Sequence, residues 1–325
     1  MHPWLKRTAA EVIDRVSRRF LEVVGDTLRK KGFVVAVSGG IDSTICAALS
    51  VRALGASRVL ALNLPEADSF QESLARGEML CGHLGMRFEV TDLTPILLAL
   101  GCYRWRDEAI RSVFPEFGDG WKSKIVLSGS PLAGNRMNFF KVVVRNPAGD
   151  LLEKRLPLDA YLQVVAATNF KQRTRKTLEY FHADRLNYAV IGTPNRLEYD
   201  QGFFVKNGDG AADLKPIAHL YKTQVYALAH ALSLPEEIRT AKPTTDTYSL
   251  AQGQDEFFFA LPYETMDVVL YGMNHGMPAA RVAEETGLTA DQVERVFQDI
   301  RTKRRTTAPL HMKPVLMEPV SEIEL

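Results

Sequence analysis

The stretch Val34-Val-Ala-Val-Ser-Gly-Gly-Ile-Asp-Ser43 decides how the rest of the chain is read. Its first four residues are apolar and valine-rich, the composition of a strand buried on both faces. The Ser/Gly turn that follows runs into an apolar helical stretch starting at Ser43-Thr44. Strand, glycine turn and helix start, in that order, make a cradle for pyrophosphate. Gly39 and Gly40 let the backbone approach an anion and tolerate positive φ, while the first amides of the helix present roughly half a unit of positive charge. Ser38 and Ser43 add hydroxyl donors, and Asp42 can hold the Mg2+ that such phosphates carry. The stretch lacks a lysine and the Gly-x-x-x-x-Gly-Lys-Ser/Thr spacing, so it is not the loop built to move a γ-phosphate.

Outward from this stretch, strands and helices alternate. Val12, Ile13, Val16, Phe20, Val23, Val24 and Leu28 form a helical stripe over about 8–31, closed by Gly32. The pattern then predicts a strand at 33–37, a helix at 43–54, a strand at 58–63, a helix at 69–84 and a strand at 87–91. A helix at 170–186, a strand at 187–191 and a helix at 219–233 follow later. Such alternation implies an α/β fold, a doubly wound and mostly parallel sheet with helices on both faces, and ligands of such sheets sit at the carboxyl ends of the strands.

Composition narrows the setting. Lys and Arg (40) nearly cancel Asp and Glu (39), so no global field favours nucleic acid or anionic lipid. Three cysteines, at 46, 81 and 102, have no CxxC or Cys/His spacing and speak against a disulfide framework or a zinc site. Met1-His-Pro-Trp-Leu-Lys-Arg7 leads into an amphipathic helix rather than an apolar signal core, and no stretch is long enough to span a bilayer. The expectation is a soluble, cytoplasmic protein acting on neither membranes nor nucleic acids.

Between about 101 and 160 the alternation breaks, and Phe139–Leu156 reads as a hairpin around Asn146-Pro-Ala-Gly-Asp150. Lys171, Arg173 and Arg175 follow at a helix start; 171 and 175 share a face and 173 points elsewhere, the pattern of a solvated cationic surface. The segment from Gly192-Thr-Pro-Asn-Arg-Leu-Glu198 through Gly202-Phe-Phe-Val-Lys-Asn-Gly-Asp209 to Asp213 and Lys222 gathers carboxylates and lysines around loosened turns. It suits a polyphosphate and dinucleotide site, in which lysines offset charge on a pyrophosphate leaving group and Glu198 joins Asp42 on Mg2+. Asp209 and Asp213 also suit simple turn formation. Residues 278–305 are written like a helix-turn-helix, but Glu284, Glu285, Asp291 and Glu294 oppose DNA, and a helical pair packed on the core is the expectation.

Ser38-Gly-Gly-Ile-Asp-Ser43 resembles the signature of the ATP pyrophosphatases, the PP-loop enzymes that split ATP between the α and β phosphates. Together with Pro243-Thr-Thr-Asp246, Gln254-Asp-Glu256, Pro262-Tyr-Glu-Thr-Met-Asp267 and Lys303-Arg-Arg305, the chain is similar to the NAD synthetases over about 33–100 and 165–306. The resemblance implies an ammonia-dependent ligase that adenylates the nicotinate carboxylate of deamido-NAD and releases AMP as NAD forms, with ATP and Mg2+ required. It implies that Ala36, Val37, Ser38, Gly39, Gly40, Ile41, Asp42 and Ser43 surround the ATP phosphates, with Thr193, Lys222 and Thr244 completing the ATP site. Asp42 and Glu198 would be the metal ligands. Arg173, Lys206, Asp213 and Lys303 would contact deamido-NAD, with Asp42, Lys206 and Lys222 acting in catalysis. A homodimer is implied as well, with the dinucleotide bound across its interface.

Departures from the family pattern fall at Pro194-Asn195, Ala211 and Thr302, and the 101–160 excursion is longer than the family's connection. A paralogue amidating a different carboxylate is the alternative they leave. Residues 1–310 are expected to form one domain with a helical part at about 260–305 and an irregular tail over 311–325. No nucleophile is paired with a base, so rate is expected from positioning and charge, with ammonia taken free or from a separate glutaminase.

Overall fold

The computed structural model describes residues 1–128, 132, 139–241, 248–250, 253, 258–259 and 261–320. A 3-10 turn (Pro3–Leu5) precedes α1 (Ala9–Glu22), which widens into a π turn at Val23–Thr27 before β1 (Phe33–Ala36). Then come α2 (Ile41–Leu54), β2 (Val59–Asn63), α3 (Gln71–Leu84), β3 (Arg87–Val90), α4 (Thr94–Ala99) and α5 (Cys102–Arg111). Three strands follow, β4 (Lys122–Ser128), β5 (Phe139–Arg145) and β6 (Leu151–Arg155), and then the long α6 (Leu158–Leu186) and β7 (Ala189–Ile191). The remaining helices are α7 (Arg196–Gln201), α8 (Lys222–Ala231), α9 (Glu236–Arg239), α10 (Tyr263–Asn274), α11 (Ala279–Thr286) and α12 (Ala290–His311).

Among the described residues, one sheet is parallel throughout, in the order β3-β2-β1-β7. Phe33, Val35, Val59, Ala61, Ala189 and Ile191 point into a core with α1, α2 and α8. Val34, Leu60, Leu62 and Val190 point the other way, against α4, α5 and α6. Burial on both faces explains why these strands read as continuous apolar runs. The chain leaves β1 toward β2, whereas β1's other neighbour, β7, comes from far along the chain. The strand order therefore reverses between β1 and β7, which places a ligand crevice outside their carboxyl ends.

Inside the excursion, β4, β5 and β6 form an antiparallel sheet of their own. Its inner residues Ile125, Val142, Val144 and Leu156 pack with Ile110, Phe114 and Val164 on and beside α5 and α6. The β5–β6 hairpin is the one expected around Asn146–Asp150; β4 pairs with it as a third strand that pattern alone did not reveal. Helix α6 starts at Leu158, well before 170. It buries Val164 in one core and Ala183 in another, and leaves Leu158 and Leu162 exposed, so no single apolar stripe marks its first turns.

The helical pair α11–α12 packs on α10 through Val282, Val293, Val296 and Phe297, joined there by Leu5 of the amino-terminal turn. A Cβ on Gly272 would lie 2.4 Å from Val282, so only glycine allows α10 and α11 to approach this closely. Helix α12 runs on to His311 with Pro309 in its last turns, past the expected end at 305 and up to the expected start of the tail at 311. Lys206 Nζ donates to the Pro309 carbonyl at 3.0 Å, satisfying one of the orphan acceptors of the helix end. Residues 312–320 form neither helix nor strand.

Candidate active site

A cavity of about 620 Å³ opens at the carboxyl ends of β1 and β7, and residues 36–43 line it. Gly39 is required twice over: its φ is +74°, and a Cβ there would sit 2.6 Å from the Ser73 carbonyl oxygen on α3. Gly40, in contrast, has φ −83° and needs no left-handed freedom, so the expectation of positive φ holds at one glycine of the two. Helix α2 begins at Ile41 rather than Ser43 because the Gly40 carbonyl already accepts the Thr44 N–H at 3.1 Å. The turn is braced from within. Ser43 Oγ donates to the Gly40 carbonyl at 3.0 Å and accepts the Ser38 N–H at 3.3 Å.

Asp42, in the first turn of α2, accepts a short hydrogen bond from Lys222 Nζ. Lys222 is the first residue of α8 and is 1% exposed. Burial alone would pull its ammonium toward neutrality, but Asp42 and Glu198 outweigh that and hold its pKa above the ordinary lysine value. The start of α8 is anchored by Asp267 of α10, whose carboxylate accepts the N–H groups of Lys222 at 3.2 Å and Thr223 at 2.8 Å. Burial raises the Asp267 carboxyl to about 6, against the hydrogen bonds that favour its ionised form.

Asn195 joins the two acidic residues. Its Nδ2 donates to Asp42 at 3.2 Å, its Oδ1 accepts from the Leu197 and Glu198 N–H groups, and Glu198 accepts the Asn195 N–H at 3.0 Å. This reciprocal cap starts α7 and fixes Glu198 beside the phosphate turn. Sequence reading treated Asn195 as a departure; the Asn-x-x-Glu spacing is the signal that marks it as a positioning residue. Cys46, next along α2, is fully buried, and burial with Asp42 and Glu198 nearby pushes its thiol far above the usual range, which makes it an inert packing group.

Helix α6 presents Tyr161, Val165, Thr168, Gln172, Arg175 and Glu179 to the cavity. The spacing alternates four and three, one continuous stripe along the helix. Lys176 also lines the cavity and pairs with Glu179 at 2.7 Å. Burial raises the Glu179 carboxyl, partly offset by Lys176. Lys171 is not the solvated cation its spacing suggested. It is 0% exposed and bridges Glu66 at 3.0 Å and Asp68 at 2.6 Å, while Arg106 also holds Asp68 at 2.6 Å. This buried cluster ties the turn after β2 to α5 and α6.

Thr193, Glu198, Lys222 and Lys303 line the cavity, as do all of residues 36–43. Lys303 is tethered there by Asp299 at 2.6 Å and by the Phe258 carbonyl at 2.5 Å. Arg173, Lys206 and Asp213 are exposed and are not among the lining residues. Arg173 Nε donates to the Lys206 carbonyl at 3.2 Å, the Lys206 ammonium is engaged at the end of α12, and Asp213 accepts the Val190 N–H at 2.7 Å. Thr244, Pro243–Asp246 and Gln254–Glu256 lie outside the described residues.

A family model described as NAD synthase matches residues 13–112 and 144–307. The chain is 53% identical to the NH(3)-dependent NAD(+) synthetase of Rhizobium rhizogenes (strain K84) over 97% of this chain and 95% of that one. It is 56% identical to the enzyme of the same name from Rhizobium meliloti (strain 1021), over 92% and 89% of the two. In fold it is similar to the NH3-dependent NAD synthetase from Campylobacter jejuni solved in complex with the nitrate ion, with a TM-score of 0.63 and 21% identity over 96% of this chain and all of that one. The NMN synthetase from Francisella tularensis shares the fold to a similar degree, with a TM-score of 0.62 and 21% identity. A match spanning both wings of the parallel sheet and the carboxyl-terminal helices, together with relatives more than half identical, establishes that the chain belongs to the NAD synthase family.

Proposed function

We propose that this enzyme adenylates the nicotinate carboxylate of deamido-NAD with ATP and that ammonia then displaces AMP to give NAD. The observation that carries this reading is the meeting of Asp42 and Lys222 at the head of the phosphate turn, at the switch point of the sheet. Family membership and the names of the half-identical relatives support it.

In the first step a carboxylate oxygen attacks the α-phosphorus, the bond to the bridging oxygen breaks, and pyrophosphate leaves with both electrons. The amides of the first turn of α2 and the charged Lys222 face the phosphates that gain this charge. In the second step the ammonia nitrogen attacks the acyl carbon, the bond to AMP breaks, and the nitrogen gives up a proton. Cys46, Cys81 and Cys102 are all buried, so none of the cysteines is placed to act as a covalent nucleophile. Asp42 and Glu198 are linked through Asn195, and two hard carboxylates beside the phosphate turn are the kind of donor that fits Mg2+. Bound there, the ion would neutralise charge on the departing pyrophosphate.

The exposed Arg173, Lys206 and Asp213 fit a dinucleotide that extends out of the cavity, and we propose that a second copy of the chain completes that part of the site as a homodimer. The proposed ammonia source is free ammonium or a separate glutaminase. The proposed location is the cytoplasm; among the described residues no helix is long and apolar enough to cross a membrane. The test is to supply purified protein with ATP, Mg2+ and deamido-NAD, adding ammonium or glutamine. NAD and AMP should form in equal amounts with ammonium, and efficient turnover on glutamine alone would contradict the ammonia assignment.

A further inference from the structure

The phosphate turn carries no lysine of its own, and most of the cations that line the cavity already have partners. Lys222 is tied to Asp42, Lys176 to Glu179 and Lys303 to Asp299. Arg175 gives its Nε to the Leu64 carbonyl at 3.1 Å. Arg76 of α3 lines the cavity too, and its Nε is buried without a hydrogen-bond partner. Among the described residues no carboxylate pairs with it. A buried donor on a charged group is costly to leave unmade, and a guanidinium fork matches the oxygens of a phosphate in a bidentate way.

Close packing of α3 brings Arg76 to the turn. A Cβ on Gly39 would lie 2.6 Å from the Ser73 carbonyl oxygen and 3.0 Å from Arg76 Cβ, and residues 73 and 76 share one face of the helix. Gly77 fixes the same approach from its other side. A Cβ there would lie 3.1 Å from Asn63 Nδ2, an amide that donates to the Val37 carbonyl at 2.8 Å, one residue before the turn. Lys222 therefore meets the phosphate turn at Asp42, and Arg76 meets it at Gly39.

We propose that Arg76 is a further catalytic residue of the adenylation step, its guanidinium donating to the β and γ phosphates of ATP seated in the 38–43 turn. This inference rests on the function proposed above. When the bond between the α-phosphorus and the bridging oxygen breaks, its electron pair stays with the pyrophosphate. Arg76 offsets that charge on the Gly39 side, as Lys222 does on the Asp42 side. The acid and ammonia take no part in the contact, so Arg76 acts on ATP and pyrophosphate and not on recognition of the carboxylate substrate.

In full-length protein, Arg76→Met is expected to weaken binding of ATP with Mg2+ by about tenfold or more, read by calorimetry, the scale of one lost hydrogen bond to a charged group. It should lower kcat by about 10²-fold, the scale of one donor removed from a developing charge. AMP, which has no β or γ phosphate, should bind within about twofold of its affinity for the unmodified protein, and KM for deamido-NAD should be as little changed. Arg76→Lys keeps the positive charge and loses the fork; it should cost about tenfold in kcat with the same split between ATP and AMP, a readout that holds even if the Met variant fails to fold. Unchanged ATP binding and kcat in the Met variant, or in the Lys variant should the Met variant not fold, overturn the proposal. An equal loss of ATP and AMP binding also overturns it, since that is the mark of a distorted turn. If the unmodified chain forms NAD and these variants match it, only the Arg76 inference falls; if the unmodified chain forms no NAD while ATP binding still depends on Arg76, the reading of the acid substrate falls and the phosphate contact stands.

Discussion

The two ends of the cavity are built by different means. At the phosphate end, a ten-residue stretch supplies the strand, the turn, the helix amides and Asp42, and partners from α7 and α8 lock onto it. At the aromatic end, Phe140, Tyr161 and Tyr248 come from three separate segments and meet only because an inserted antiparallel sheet packs on α6. The phosphate end is written in one consecutive stretch, whereas the aromatic wall is assembled from residues that are distant in the chain.

The comparison breaks most sharply at Lys222. Replacing it with Met removes the ammonium that Asp42 holds at the turn and should lower the rate of AMP release by about 10³-fold, the scale of a lost preorganised charge in phosphoryl or acyl transfer. Steady-state product assays with folded protein check this, and a loss smaller than tenfold would take Lys222 out of the reacting centre.

A different kind of loss is expected between the two ends, at the buried Lys171 cluster. Lys171→Met leaves Glu66 and Asp68 without their shared ammonium and should destabilise the fold by about 3 kcal/mol or more, read from urea denaturation midpoints. The outcome should be unfolding at lower urea with little change in KM of the residual folded enzyme, since Lys171 does not line the cavity.

Gly39→Ala should act at the phosphate end alone. The left-handed φ and the 2.6 Å approach to the Ser73 carbonyl together cost about 1–3 kcal/mol, and KM for ATP should rise while stacking at Phe140 is unchanged.

The gentlest effect is in pH. The Asp267 carboxyl titrates near 6 in the fold and near 3.9 when unfolded, so the folded chain keeps a proton that the unfolded chain loses between those values. Stability therefore falls as pH rises from about 4 to 6, by at most about 1.4 kcal/mol per pH unit for this one group. Asp267→Asn should remove that slope, measured as the difference in urea midpoints between the two proteins.

Much of the fold was legible because strands buried on both faces are written as apolar runs, and the glycine turn after β1 is written in consecutive residues. The α6 stripe was not, because its cavity-facing members Tyr161, Thr168, Gln172, Arg175 and Glu179 are mostly polar and carry no apolar period. Lys171 was misread as solvated because charge pattern cannot show that Glu66 and Asp68 fold against it. Arg173, Lys206 and Asp213, which the resemblance implies as dinucleotide contacts, are exposed and do not line the cavity, Arg173 on α6 and the other two in the loop between α7 and α8. Phe140 was legible only as part of a hairpin; its partner Tyr161 lies across a different element.

The most direct test of the central claim is the fate of ATP in the presence of Mg2+, ammonium and deamido-NAD. Cleavage held by the Ser38–Ser43 turn should give AMP and pyrophosphate in step with NAD, and Asp42→Asn should remove all three products together. ADP and orthophosphate as the products, or NAD formation that survives in the Asp42→Asn enzyme, would contradict the account.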